Sequence, residues 1–174
     1  MDAMSESSAS AKGDVSFSIL SEVEGFGTHT AQLGDLLLFH YVGTLEGSSQ
    51  VFDSTRGGLR YRDGGPGVFR PAAVQLGSGP VPGLCQGLRK GLEGMRIGGK
   101  RTIIVSPQLG FGSVTVGAPY AVVPANSTLR YEVELIRIST RGPDELTQGI
   151  IKCGAGGAGA SSENCEAIEP AEFL

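Results

Sequence analysis

Histidine is scarce. It occurs only at His29 and His40, and neither stands near a cysteine pair. The cysteines, Cys85, Cys153 and Cys165, do not carry the short spacings of a zinc site. No metal site and no cofactor are therefore expected. Long apolar runs are missing too: the longest, Leu36-Leu37-Leu38-Phe39, is of strand length, far short of the ~20 residues that cross a bilayer. No membrane span is expected. Positive charge is in deficit, the net charge being −4. That argues against nucleic acid as the main partner, because phosphate binding needs a basic surface. No nucleophilic triad and no internal repeat stand out. The opening residues Met1-Asp2-Ala3-Met4-Ser5-Glu6 carry two acids and no arginine. As they stand they resemble neither a signal peptide nor a transit peptide.

The 174 residues suffice for one domain with tails. Residues 1–13 are rich in Ser and Ala without periodicity, and disorder is expected there. Residues 14–139 carry the folding pattern. Val15, Phe17 and Ile19 alternate with Ser16 and Ser18 as a half-buried strand does. Leu36 to Val42 reads as a strong strand bounded by Gly34-Asp35 and Gly43, and Val51-Phe52-Asp53 as a shorter one. The long loop from Ser54 to Arg70, rich in Gly and Arg, has the length of a functional or mobile segment. Ala73 to Leu76 returns to strand. Leu84, Leu88, Leu92 and Met95 then fall on one helical stripe, with Pro82 in the first turn and Gly98-Gly99 at the end. Gly87, Gly91 and Gly94 each weaken that helix by ~1 kcal/mol relative to Ala, so it needs a sheet to pack on. Lys100 to Val105 is the next strand. In the last, Leu129, Tyr131, Val133 and Leu135 alternate with Arg130, Glu132 and Glu134. Residues 140–174 read as a flexible Gly/Ala-rich tail with two cysteines. Antiparallel strands segregated from a single helix predict an α+β domain.

Four stretches, in order, resemble the FKBP family of peptidyl-prolyl isomerases. They are His40-Tyr41-Val42-Gly43; Val51-Phe52-Asp53-Ser54-Thr55; Gly83 through Arg101; and Ser106-Pro107-Gln108-Leu109-Gly110-Phe111-Gly112 followed by Val122-Val123-Pro124-Ala125-Asn126-Ser127-Thr128-Leu129. The match covers roughly residues 30 to 138. It implies an antiparallel β-sheet curled around one short α-helix, and an apolar pocket that binds an X-Pro segment. Carried over residue by residue, the resemblance gives Tyr41, Phe52, Asp53, Phe111 and Tyr131 catalytic positions. It gives Val81, Pro82, Leu88, Val122 and Val123 substrate-binding ones. The implied activity is isomerisation of X-Pro bonds in protein clients, with a folding or assembly role and with exposed or unfolded proline-containing segments as partners. The chain is expected to act as a monomer.

Each of these residues also has a plainer reading. Phe52 suits a core, Asp53 a turn, and Tyr41 a core position with its hydroxyl satisfied locally. The sequence also departs from the family. There is no Trp, and Leu88 or Leu84 takes the place of the helix Trp that commonly floors the pocket. Pro82 lacks an N–H, and Phe111 stands where a hydrogen-bonding Tyr is common. These departures imply reduced activity; the alternative is a non-catalytic binding or assembly module on the same fold. The helix segment and the turn Met95 to Arg101 are more similar to chloroplast members of the family, many of which face the thylakoid lumen. A cytoplasmic location is the alternative. In an oxidising lumen, Cys153 and Cys165 would pair as a redox latch on the tail; otherwise they are two unrelated exposed thiols.

Overall fold

In the computed structural model, residues 17–150 and 168–174 are described. The organising element is β2 (Leu36–Leu45), whose Leu37, Phe39, Tyr41 and Gly43 alternate onto one face. It pairs along its length with β8 (Leu129–Ser139), and on its other side with β3 (Val51–Ser54) and β4 (Ala72–Gln75). Next to β8 lies β5 (Lys100–Val105), and outside it the edge strand β1 (Phe17–Val23). All these pairings are antiparallel. A separate two-stranded hairpin joins β6 (Val116–Gly117) to β7 (Val122–Val123).

One face of the sheet is covered by α1 (Gln86–Leu92). Its Leu88 and Leu92 are fully buried with Phe39, Ile103, Val105, Leu129 and Leu135. This is the α+β arrangement expected, but the helix is shorter than the leucine stripe. Cys85 at its start is extended, Glu93 leaves helical geometry, and Gly94 takes a positive φ of 83° that residues with a side chain rarely adopt. Leu84 and Met95 are buried beyond the two ends, and Pro82 sits in a preceding turn closed by the Leu84 N–H on the Val81 carbonyl at 3.0 Å. The glycines that weaken the helix let it approach the sheet. A Cβ on Gly87 would collide with the Val105 side chain, and one on Gly91 with Ile103.

Two further expectations need correction. β1 forms, but its Ile19, Leu20 and Val23 are exposed, because the strand lies at the sheet edge. Residues 140–150 and 168–174 also join the fold. A short helix, α2 (Pro143–Leu146), buries Leu146, and β9 (Ala171–Phe173) pairs in parallel with the end of β8. Arg137 holds this segment. Its guanidinium donates to the carbonyls of Leu146 (3.2 Å), Gln148 (2.6 Å) and Glu169 (3.0 Å). The Glu172 carboxylate in turn accepts from the Thr28 and His29 amides. Cys153, Cys165 and residues 1–13 lie outside the described residues, as do the latch and disorder expected of them.

Candidate active site

The register of β2 builds the site. Gly43 stands opposite Tyr131 on β8 and opposite Asp53 on β3. Two residues back, Tyr41 reaches across the sheet, and its hydroxyl donates to Asp53 Oδ2 at 2.6 Å. The Ser54 amide donates to the other oxygen at 2.8 Å. Asp53 thus has the hydrogen bonds a partly buried carboxylate needs. Burial raises its pKa, opposed by the bonds from Tyr41 and Ser54. Burial first, and then the charge of Asp53, hold the Tyr41 phenol far above its usual range. Tyr41 is therefore a fixed donor.

Around this pair the aromatic rings meet edge to face. Tyr131 lies 5.9 Å from Tyr41 and 5.8 Å from Phe52, and Phe52 lies 6.1 Å from Phe111. Such contacts are favourable beyond their buried area. Leu88 and Val123, both 0% exposed, belong to the same core. The cluster reaches the surface at Phe111 and Asp53, both half-buried. Tyr41, Phe52, Asp53, Phe111, Tyr131, Leu88 and Val123 are therefore gathered in one region.

Three other expected residues fare differently. Val81 is half-buried against the core, but Pro82 is exposed in its turn. Immediately before α1 stand two buried residues, Leu84 and Cys85. Val122 is 46% exposed, because alternation along β7 sends only Val123 inward.

Two participants were not read from the sequence as site residues. Cys85 Sγ lies 3.5 Å from the Tyr131 hydroxyl. Burial raises the thiol's pKa, so it stays protonated and chemically quiet. Nothing in the local sequence signals this contact, which joins residues 46 positions apart. Gly43 was legible only as a strand boundary. A Cβ there would stand 2.7 Å from Phe52 Cζ and 2.9 Å from Tyr131 Cε1. The available signal was a glycine inside an apolar strand, which marks a close approach.

Residues 27–136 match the family model described as FKBP-type peptidyl-prolyl cis-trans isomerase. The chain belongs to the FKBP family. Peptidyl-prolyl cis-trans isomerase FKBP17-2, chloroplastic, from Arabidopsis thaliana is 36% identical over 115 residues, covering 65% of this chain and 44% of that protein. Peptidyl-prolyl cis-trans isomerase FKBP15-3 from the same plant is 36% identical over 108 residues, covering 62% and 63%. FK506-binding protein 1A from Neurospora crassa is 38% identical over 115 residues, covering 66% and 82%. The chain thus spans less than two thirds of either plant protein. The FKBP match includes every gathered side chain named above and ends before α2 and β9. The C-terminal return to the sheet lies outside the family match.

Proposed function

We propose that this FKBP domain is a peptidyl-prolyl cis-trans isomerase acting on X-Pro bonds of protein clients. The observation that carries the reading is the Tyr41–Asp53 hydrogen bond fixed beside the Tyr131, Phe52 and Phe111 rings. Rotation about an X-Pro amide faces a barrier of ~18–20 kcal/mol because it breaks amide resonance. Resonance places negative charge on the carbonyl oxygen, and water stabilises that charge. An apolar, aromatic-lined site removes this water, which weakens the planar form relative to the twisted one. Rate acceleration follows only if the site binds the twisted amide more tightly than the planar one.

In this reading Phe52, Phe111 and Tyr131 form the walls, with Leu88 and Val123 beneath them. Tyr41 and Asp53 present the polar edge. Leu84 and Cys85 take the place first assigned to Val81 and Pro82 at the entry to α1, which restores a backbone N–H that Pro82 lacks. With Leu88 as floor and Phe111 without a hydroxyl, activity is reduced. One lost neutral hydrogen bond is worth ~0.5–1.5 kcal/mol, up to roughly tenfold in rate. A proline-peptide isomerisation assay tests the proposal. Catalysis abolished by Asp53→Ala together with Phe52→Ala is expected; a wild-type chain with no catalysis on any X-Pro peptide refutes it and leaves a binding module.

The client role proposed is folding or assembly of proline-containing segments, by a monomer. Sedimentation that reports a stable dimer would contradict the latter. The location proposed is the chloroplast, and within it the thylakoid lumen. Support comes from relatives named chloroplastic, such as FKBP17-2 and FKBP17-3 of Arabidopsis thaliana. Protease protection of the protein in intact thylakoids is the result expected, and recovery in the soluble cytoplasmic fraction would overturn it.

A further inference from the structure

The long loop from Ser54 to Arg70 is fastened to the segment that bears β6 and β7. Tyr61 stacks on Tyr120 with ring centroids 5.0 Å apart. The Arg62 amide donates to the Pro119 carbonyl at 2.8 Å, and its Nε donates to the Ala118 carbonyl at 2.8 Å. Between the two segments lies a surface cleft of about 360 Å³ lined by Tyr61, Arg62, Asp63, Gly117, Ala118 and Pro119. It adjoins the candidate active site. Val116 and Gly117 pair with Val123 and Val122 in one hairpin, and the Tyr120 amide donates to the Phe52 carbonyl at 3.0 Å.

The cleft carries two charged side chains, Arg62 and Asp63, within a loop whose charge is opposite to that of the chain. The loop carries Arg56, Arg60, Arg62 and Arg70 against Asp63 alone, in a chain of net charge −4. Arg56 is neutralised by Glu134 at 2.6 Å. Arg60 and Arg62 instead donate to carbonyls, of Gly64 and Ala118, and among the described residues neither has a carboxylate partner. Asp63 also lines the cleft, but its Oδ1 is engaged within its own loop, accepting from the Gly65 amide at 2.9 Å. The facing segment, Ser113 to Ala121, carries no charge. Asp53, the carboxylate of the adjoining site, is engaged by Tyr41 and Ser54. Among the described residues the guanidinium of Arg62 is thus held by one bond to a main-chain carbonyl, with positive charge left to offer.

We infer that this cleft is a subsite for the client residues flanking the proline, and that Arg62 makes it selective for an acidic side chain there. The inference rests on the reading that the adjoining pocket takes the X-Pro pair. A mobile loop would give no such selectivity. Here the stacked tyrosines and the two Arg62 bonds fix the charge beside the pocket before a client arrives, which limits the ordering cost of binding. Client choice would then combine an apolar residue before proline with an acid nearby.

The test uses the full chain and fluorescein-labelled Leu-Pro peptides carrying Glu, Ala or Lys at each of the two positions on either side of the pair. Binding is read by polarisation and catalysis by isomerisation on the same peptides. At one position at least, the Glu peptide is expected to bind about three- to tenfold more tightly than the Lys peptide, the size of a partly exposed charge contrast. Added salt should erase the preference. Arg62→Gln should abolish it, and Arg62→Lys should retain most of it. Equal binding of the Glu, Ala and Lys peptides at all positions overturns the inference, as does a preference that survives both high salt and Arg62→Gln. The salt series on the unmodified chain decides the matter even if Arg62→Gln disturbs the loop. Loss of catalysis with the charge preference intact would refute the isomerase reading and leave the subsite standing. Catalysis without preference would do the reverse.

Discussion

Replacing Gly43 by Ala tests the geometry of the candidate site with a single methyl group. The added Cβ would lie 2.7 Å from Phe52 Cζ and 2.9 Å from Tyr131 Cε1, where unstrained carbon contacts sit at about 3.5–4.0 Å. The rings must therefore retreat by about 1 Å. Both are 1% exposed, so neither can swing into solvent. Overpacking of this kind costs ~1–3 kcal/mol. A misplacement of ~1 Å at a reacting centre costs up to ~100-fold in rate. Urea unfolding should show a lower midpoint with an unchanged slope, and the isomerisation assay a fall in kcat/KM larger than the stability loss explains. Phe52→Leu should partly relieve the clash. The double variant should then lose less stability than the two single changes combined, by about 1 kcal/mol. Gly43→Ala with wild-type stability and activity would refute the close ring approach, and additive losses would show that Phe52 is not the group displaced.

Tyr41→Phe removes the donor to Asp53 while keeping the ring. It should cost ~1–3 kcal/mol, as expected for a carboxylate left short of a partner, and lower isomerase activity; unchanged values would mean that the 2.6 Å bond contributes nothing. Leu88→Trp adds aromatic area at the floor of the site. It should tighten proline-peptide binding at a stability cost of ~1–3 kcal/mol, and no change in binding would place the floor at another residue. His40 is held down at a pKa of about 4 by burial and then by Arg56, against the opposing pull of Glu134. Its folded pKa lies below the ordinary ~6.5, so the unfolded chain binds more protons between these values. The stability it contributes is therefore complete above ~6.5, falls as pH descends toward 4, and levels off below. Measured by urea unfolding, His40→Gln should flatten that part of the stability–pH curve, and an unaltered slope would exclude His40 as its source. Arg137→Leu strands the carbonyls of Leu146, Gln148 and Glu169. It should destabilise the chain by ~2–4 kcal/mol and speed amide exchange in β9, and normal protection there would show that another contact holds the C-terminal strand.

Periodicity determined most of the architecture. The alternation in β2 and β8 and the leucines around α1 assign the core face before any contact is known, because a side chain's direction follows from its place in a strand or helix. The ordered motifs likewise pointed to Tyr41, Phe52, Asp53, Phe111 and Tyr131, which the fold brings together. The limits of α1 escaped the sequence because Leu84 and Met95 continue the apolar spacing although the chain around them is not helical. The exposure of Pro82 and Val122 escaped for a related reason: an apolar residue beside a motif carries no mark of which way it faces. The return of residues 168–174 to β8 was invisible, since its attachment depends on Arg137, Glu172 and carbonyls brought near only by folding. Gly43, the Cys85–Tyr131 contact and the clasp of Tyr61 on Tyr120 are likewise distances between remote segments. Local pattern marks the inward face of the central strands and of α1, and tertiary structure alone decides which edge residues are covered and which side chains meet.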